Sequence, residues 1–148
     1  MKDRFLFRGK GEDGEWKLGY YLSNVTHSHP GGNVHAIGLI NPENREQVLC
    51  DNIDPATIGQ CTGVEDKHGR LIFEGDLLHW SKDGVSETGK VLWKTGGWAI
   101  FFGEHVNFME FELLDADTGE RIDWKIIGNI HDNPKLIKRR KCDESQTI

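Results

Sequence analysis

No CxxC pair occurs in this chain, and its three cysteines, Cys50, Cys61 and Cys142, are odd in number. That rules out the common zinc-ribbon and thioredoxin-like spacings and argues against a disulfide framework. No apolar run approaches the roughly 18 residues that span a bilayer, and the opening MKDRFLFRGK is charged rather than leader-like. The expected compartment is therefore a reduced cytoplasm, away from the membrane. GxGxxG, P-loop and GxSxG patterns are missing, which removes the usual phosphate-binding loops and the nucleophile elbow. No segment of helical length keeps a 3.6-residue apolar period.

Glycine, by contrast, is plentiful, at 18 of 148 residues, and five Trp with seven Phe supply enough large apolar surface for a core without metal or disulfide. The net charge of −6 is unevenly distributed: from Lys135 onward five Lys/Arg face Asp143 and Glu144, +3, so the preceding 134 residues carry −9. An acidic body disfavours bulk attraction to nucleic acid or anionic lipid. The basic tail is expected to be a disordered, solvated terminus.

Short alternating segments lie between turn signals such as Pro30-Gly31, Asp83-Gly84 and Gly96-Gly97, the pattern of half-buried strands. Strands are predicted over 4–8, 16–22, 34–40, 45–50, 71–80 with a break near Gly75, 89–94, 98–102, 108–114 and 122–130. In 16–22, Trp16, Leu18, Tyr20 and Leu22 share one face, opposite Lys17, Gly19 and Tyr21. Residues 24–33, 81–88 and 115–120 read as loops. Asp54-Pro55 and Asn133-Pro134 each place a cap before a proline, predicting two short helical turns.

The segment Ile53–Leu78 contains Gln60, Thr62, Gly63, Asp66, Lys67, Gly69, Phe73, Glu74, Gly75 and Asp76. It resembles the signature of the YopX family of small phage and prophage proteins. Gly89-Lys90-Val91-Leu92-Trp93 and the closing Ile126-Ile127-Gly128-Asn129-Ile130-His131-Asp132-Asn133-Pro134 extend the resemblance, as does Phe7-Arg8-Gly9-Lys10 with Trp16. Cys61 stands where that family commonly has an aromatic residue, and His68 where it has Asn. The resemblance runs in order over residues 4–137 and implies a phage or prophage origin and a β-rich fold. It implies no catalytic, cofactor or metal residues.

The motif residues read as structural. Asp66-Lys67-His68-Gly69 forms a hairpin loop, Gly75 marks a bend or bulge, and Gly128-Asn129 suggests close packing against a neighbour's backbone. The succession of Gly-Asp-apolar, Gly-x-Val-x-Trp and Trp-x-Ile-x-Phe resembles the meander of an SH3-like barrel. The expected organisation is thus mainly β, with short twisted strands and tight turns. N-terminal strands occupy 1–52, a motif-bearing, barrel-like region packed with them spans 53–137, and a basic tail follows at 138–148.

Four constellations bring together residue types capable of chemistry. Cys61 and His68 are near in sequence, but one sits in a strand and the other in the loop beyond it, so Cys61 reads as a packing residue. His27, His29 and His35 offer chelating spacing, without a carboxylate in the loop. Asp66, Glu74 and Asp76 are oxygen-rich but do not match a calcium loop. Trp80, Trp93 and Trp98 beside Lys82 and Lys94 offer base-stacking surface on a body of the wrong charge. The functional expectation is a non-enzymatic phage accessory protein without cofactor or metal. It would act by contact with a host or phage protein, or by homo-oligomerisation. The alternative is a nucleic-acid-binding module that uses barrel aromatics and the tail residues Lys138, Arg139, Arg140 and Lys141.

Overall fold

Glycine and short alternating runs favour hairpins over helices, and antiparallel hairpins dominate the computed structural model, which describes residues 4–23, 35–40, 47–50, 52–102, 109–110 and 123–137. These form two compact units. One comprises the described residues up to Val64 with Leu71–Phe73; the other comprises Glu65–Arg70 and the described residues from Glu74 onward. No helix among them is long and apolar enough to cross a membrane.

The first unit is built on β1 (Phe7–Lys10), β2 (Trp16–Ser23), β3 (His35–Ile40), β4 (Gln47–Cys50), β5 (Gly59–Glu65) and β6 (Leu71–Phe73). They lie in one sheet in the order β4-β3-β2-β1-β5-β6. It extends past the division expected near residues 52–57, because β5 pairs with the free side of β1, Phe7 opposite Gln60. The predicted turn at Asp54-Pro55 is a 3₁₀ helix, Pro55–Thr57. The Asp54 carboxylate accepts the Ala56 N–H at 3.0 Å, as an N-cap should. Thr57 is buried there, and its hydroxyl accepts the Lys10 N–H at 2.8 Å. Ala36, Ile37, Ile53, Cys61, Ile72 and Phe73 form the core of this unit.

The alternation in β2 is present, and its burial is informative. Gly19 is buried and Tyr21 half-buried, whereas Leu18, Tyr20 and Leu22 remain 45%, 49% and 42% exposed. Gly19 explains the choice of inward face. A Cβ at this position would overlap the Gly38 carbonyl oxygen and lie 2.9 Å from Ile37 Cγ2, so only glycine permits so close an approach.

The second unit contains β7 (Asp76–Lys82), β8 (Val85–Lys94), β9 (Gly97–Phe101), β10 (Met109–Glu110) and β11 (Lys125–Asn129), in the order β10-β9-β8-β7-β11. Leu77, Leu78, Val91, Ala99, Ile100, Phe101 and Trp124 are its buried apolar residues. The loop predicted over 81–88 shrinks to Asp83-Gly84, since Lys82 already pairs with Val85. Both turn residues have positive φ, 52° and 81°, as a two-residue type I′ hairpin requires. The next turn is Thr95-Gly96, with φ of 53° and 84°, and Gly97 begins β9 opposite Lys94.

The meander β7-β8-β9 expected of an SH3-like arrangement is therefore present. Among the described residues, however, β7 takes β11 as its second neighbour and β9 takes β10, which gives an open sheet rather than a closed barrel. β11 carries a register shift between Ile126 and Gly128, so Ile127 interrupts the simple alternation predicted over 122–130. Of the strand predicted over 108–114 only Met109–Glu110 falls within the described residues, and the predicted loops at 24–33 and 115–120 lie outside them. Asn133-Pro134 opens a second 3₁₀ helix, Pro134–Leu136, as predicted.

Candidate functional site

The hairpin tip between β5 and β6 is held by one buried carboxylate. Asp66 N–H bonds the Arg70 carbonyl at 2.8 Å, and Gly69 N–H bonds the Asp66 carbonyl at 3.0 Å. The Asp66 Oδ1 accepts the backbone N–H groups of His68 and Arg70, at 2.8 and 3.0 Å. Its Oδ2 accepts Arg70 Nε at 3.0 Å, Arg70 Nη2 at 2.8 Å and the Ile126 N–H at 3.2 Å. Arg70 Nη2 also donates to the Ile126 carbonyl at 2.7 Å, and Lys67 N–H donates to the Trp124 carbonyl at 2.9 Å. The tip of a hairpin is thereby fastened to a strand some sixty residues later in the chain. Burial opposes ionisation of Asp66. The N–H groups of Arg70 and Ile126, the Arg70 guanidinium and the His68 N–H outweigh it and hold the carboxyl at about 2.

A second motif junction centres on Gly75, whose φ is +87°. Its N–H donates to the Val91 carbonyl at 2.8 Å, and its own carbonyl accepts the Ile130 N–H at 2.9 Å. Beside it, Asp76 is buried and opposite Asn129 in the β7–β11 ladder. The Asn129 side chain organises the following turn: its Oδ1 accepts the His131 and Asp132 N–H groups at 3.0 and 2.9 Å, and its Nδ2 donates to Asp132 Oδ2 at 3.0 Å. Gly128 makes room for a side chain rather than for the neighbouring backbone expected from sequence, since a Cβ there would overlap Asn133 Oδ1. These motif residues thus lie in turns and bends beside β7 and β11, where each has a structural role.

The other candidate constellations separate into ordinary environments. Cys61 is fully buried in β5, and its sulfur accepts the Gly63 N–H at 3.4 Å, whereas His68 is exposed in the turn. His35 opens β3, with Nδ1 2.6 Å from the Tyr21 hydroxyl and its ring stacked on the Tyr21 ring; His27 and His29 lie outside the described residues. Asp66 is committed to the hairpin tip and Asp76 is buried on β7. Among the described residues no three His, Cys, Asp or Glu converge to hold a metal ion. Trp93 is 53% exposed and packs edge-on against half-buried Trp98 across the hairpin, with centroids 5.0 Å apart. The Lys94 ammonium lies 5.4 Å from the centroid of the Phe101 ring. The tail residues 138–141 lie outside the described residues.

The surface that sequence reasoning left unassigned is the outward face of β2. Leu18, Tyr20 and Leu22 follow one another along the strand, and their opposite neighbours on β1 and β3 are Arg8, Gly38 and Ala36. At the β1 side the Arg8 guanidinium is placed over the Trp16 and Phe73 rings, 4.8 and 5.0 Å from their centroids, and the Lys10 ammonium is 5.3 Å from that of Trp16. Covering the exposed half of each apolar side chain would contribute about 1 kcal/mol apiece. The signal was in the alternation itself, but a count of apolar residues puts this face inward, and only Gly19 on the opposite face marks it as outward.

The crystal structure of protein EF1440 from Enterococcus faecalis is similar, with a TM-score of 0.53 and 20% identity over 89% of this chain and 96% of that one. At that identity the likeness is one of fold alone. No curated protein matches the chain. The hairpin tip, the Gly75 bend and the Asn129 turn all lie within the stretch that matches a family model, and the resemblance read from the motifs holds. The chain belongs to the YopX family: the model described as YopX protein matches residues 10–138.

Proposed function

We propose that this protein is a non-enzymatic phage or prophage accessory protein of the host cytoplasm that acts by contact with other proteins, further copies of itself included. The observation that carries this reading is the outward face of β2, where Leu18, Tyr20 and Leu22 are 42–49% exposed in a row. Single exposed apolar residues are ordinary on protein surfaces, whereas adjacent ones on one strand face favour association. The family resemblance supports the phage setting. The consumption of Asp66, Gly75 and Asn129 in local structure leaves the motif with a folding role.

Light scattering at tens of micromolar, for wild type and for a Leu18→Glu/Tyr20→Glu variant, tests the self-association arm. A mass above that of the monomer, lost in the variant at unchanged melting temperature, is expected. The contact reading is overturned if the wild type is monomeric and the variant also behaves like wild type in a phage plating assay.

A further inference from the structure

We draw no further inference here: the strongest candidate, the exposed Trp93 packed edge-on against Trp98 beside the β8–β9 turn, is an unpartnered apolar surface, and nothing in the structure shows what covers it.

Discussion

Arg70 grips Asp66 with two nitrogens on a single carboxylate oxygen, Nε at 3.0 Å and Nη2 at 2.8 Å from Oδ2, while Nη2 reaches on to the Ile126 carbonyl at 2.7 Å. The carboxylate side chain is fully buried and the guanidinium side chain is 51% exposed. The two halves of this pair therefore differ in what their loss does. Asp66→Ala leaves the N–H groups of His68, Arg70 and Ile126 without their acceptor; water reaches the exposed His68 and Arg70, but each lost hydrogen bond to the charged carboxylate contributes about 1.5–3 kcal/mol. Arg70→Ala removes a half-solvated cation and should cost only about 1 kcal/mol, in keeping with exposed pairs. Urea melts of the two variants are expected to show Asp66→Ala as the more damaging by a clear margin. Equal losses would mean that the guanidinium, rather than the buried acceptor, holds the hairpin tip.

The same carboxylate predicts a pH dependence. Its folded value is about 2 against an ordinary 3.8, so the ionised form is favoured by folding. The stabilisation is complete above about pH 4 and is lost as pH falls from there towards about 2, a total on the order of 2 kcal/mol. The wild type should therefore lose more stability over that interval than Asp66→Asn, which has no carboxylate to protonate at this position. Urea midpoints measured across that range check the difference. Parallel acid profiles would place the acid sensitivity at other carboxylates.

Gly75 and Gly69 separate strain from crowding. Both have positive φ, +87° and +77°. A Cβ at Gly75 would meet Ile130 Cγ1 at 3.4 Å, whereas at Gly69 nothing lies within 4 Å. Gly69→Ala should cost only the conformational strain, about 1–2 kcal/mol. Gly75→Val adds a β-branched side chain against Ile130 to a strain of about 1–3 kcal/mol, and should lower the melting temperature further. Near-identical melts for Gly75→Val and wild type would remove the Gly75 bend from the account of the family motif.

Asp66 was legible as a turn residue because Asp beside Gly in a short loop has local work to do. Its bond to Ile126 was not, since nothing near residue 66 marks a partner on a distant strand. The Asp83-Gly84 turn is legible from its dipeptide, but the polar residues around it make the loop look longer than it is. Ser86, Glu87 and Thr88 look like loop residues, yet they pair with Ser81, Trp80 and His79 in the ladder. On β2 the two faces were separable by parity alone. Gly19, the residue with no side chain, decided which face packs inward, and a count of apolar residues favours the opposite choice.

Thr95 occupies a position that disfavours it. It is β-branched, yet it holds φ of 53° in a two-residue turn followed by Gly96. Asn-Gly is strongly preferred at such turns because Asn tolerates the left-handed region. Thr95→Asn is expected to raise stability by about 0.5–1 kcal/mol, readable as a higher melting temperature. The neighbouring Trp93–Trp98 contact should persist, so the tryptophan near-UV signal is expected to stay unchanged. A lowered melting temperature would mean that the Thr95 side chain supports this turn.

Two adjacent residues on β2 test the surface reading most directly. Gly19 is buried, with the Gly38 carbonyl lying where a Cβ would be; Tyr20, the next residue, is 49% exposed on the other face. Gly19→Ala must push β2 and β3 apart or bend one of them, and is expected to destabilise by about 1–3 kcal/mol, the range for overpacking. Tyr20→Glu places a charge in water and removes a ring that is only half buried, so its effect on stability should stay within about 1 kcal/mol. If the outward face of β2 makes the protein's contacts, the order reverses in function: Tyr20→Glu abolishes association or the plating phenotype while remaining folded. Gly19→Ala, assayed at a temperature where it is still folded, retains both. Melting curves beside light scattering and plating separate the two effects. A Tyr20→Glu protein that melts several degrees lower would show that the ring supports the fold, and that β2 presents a packed surface rather than a contact face.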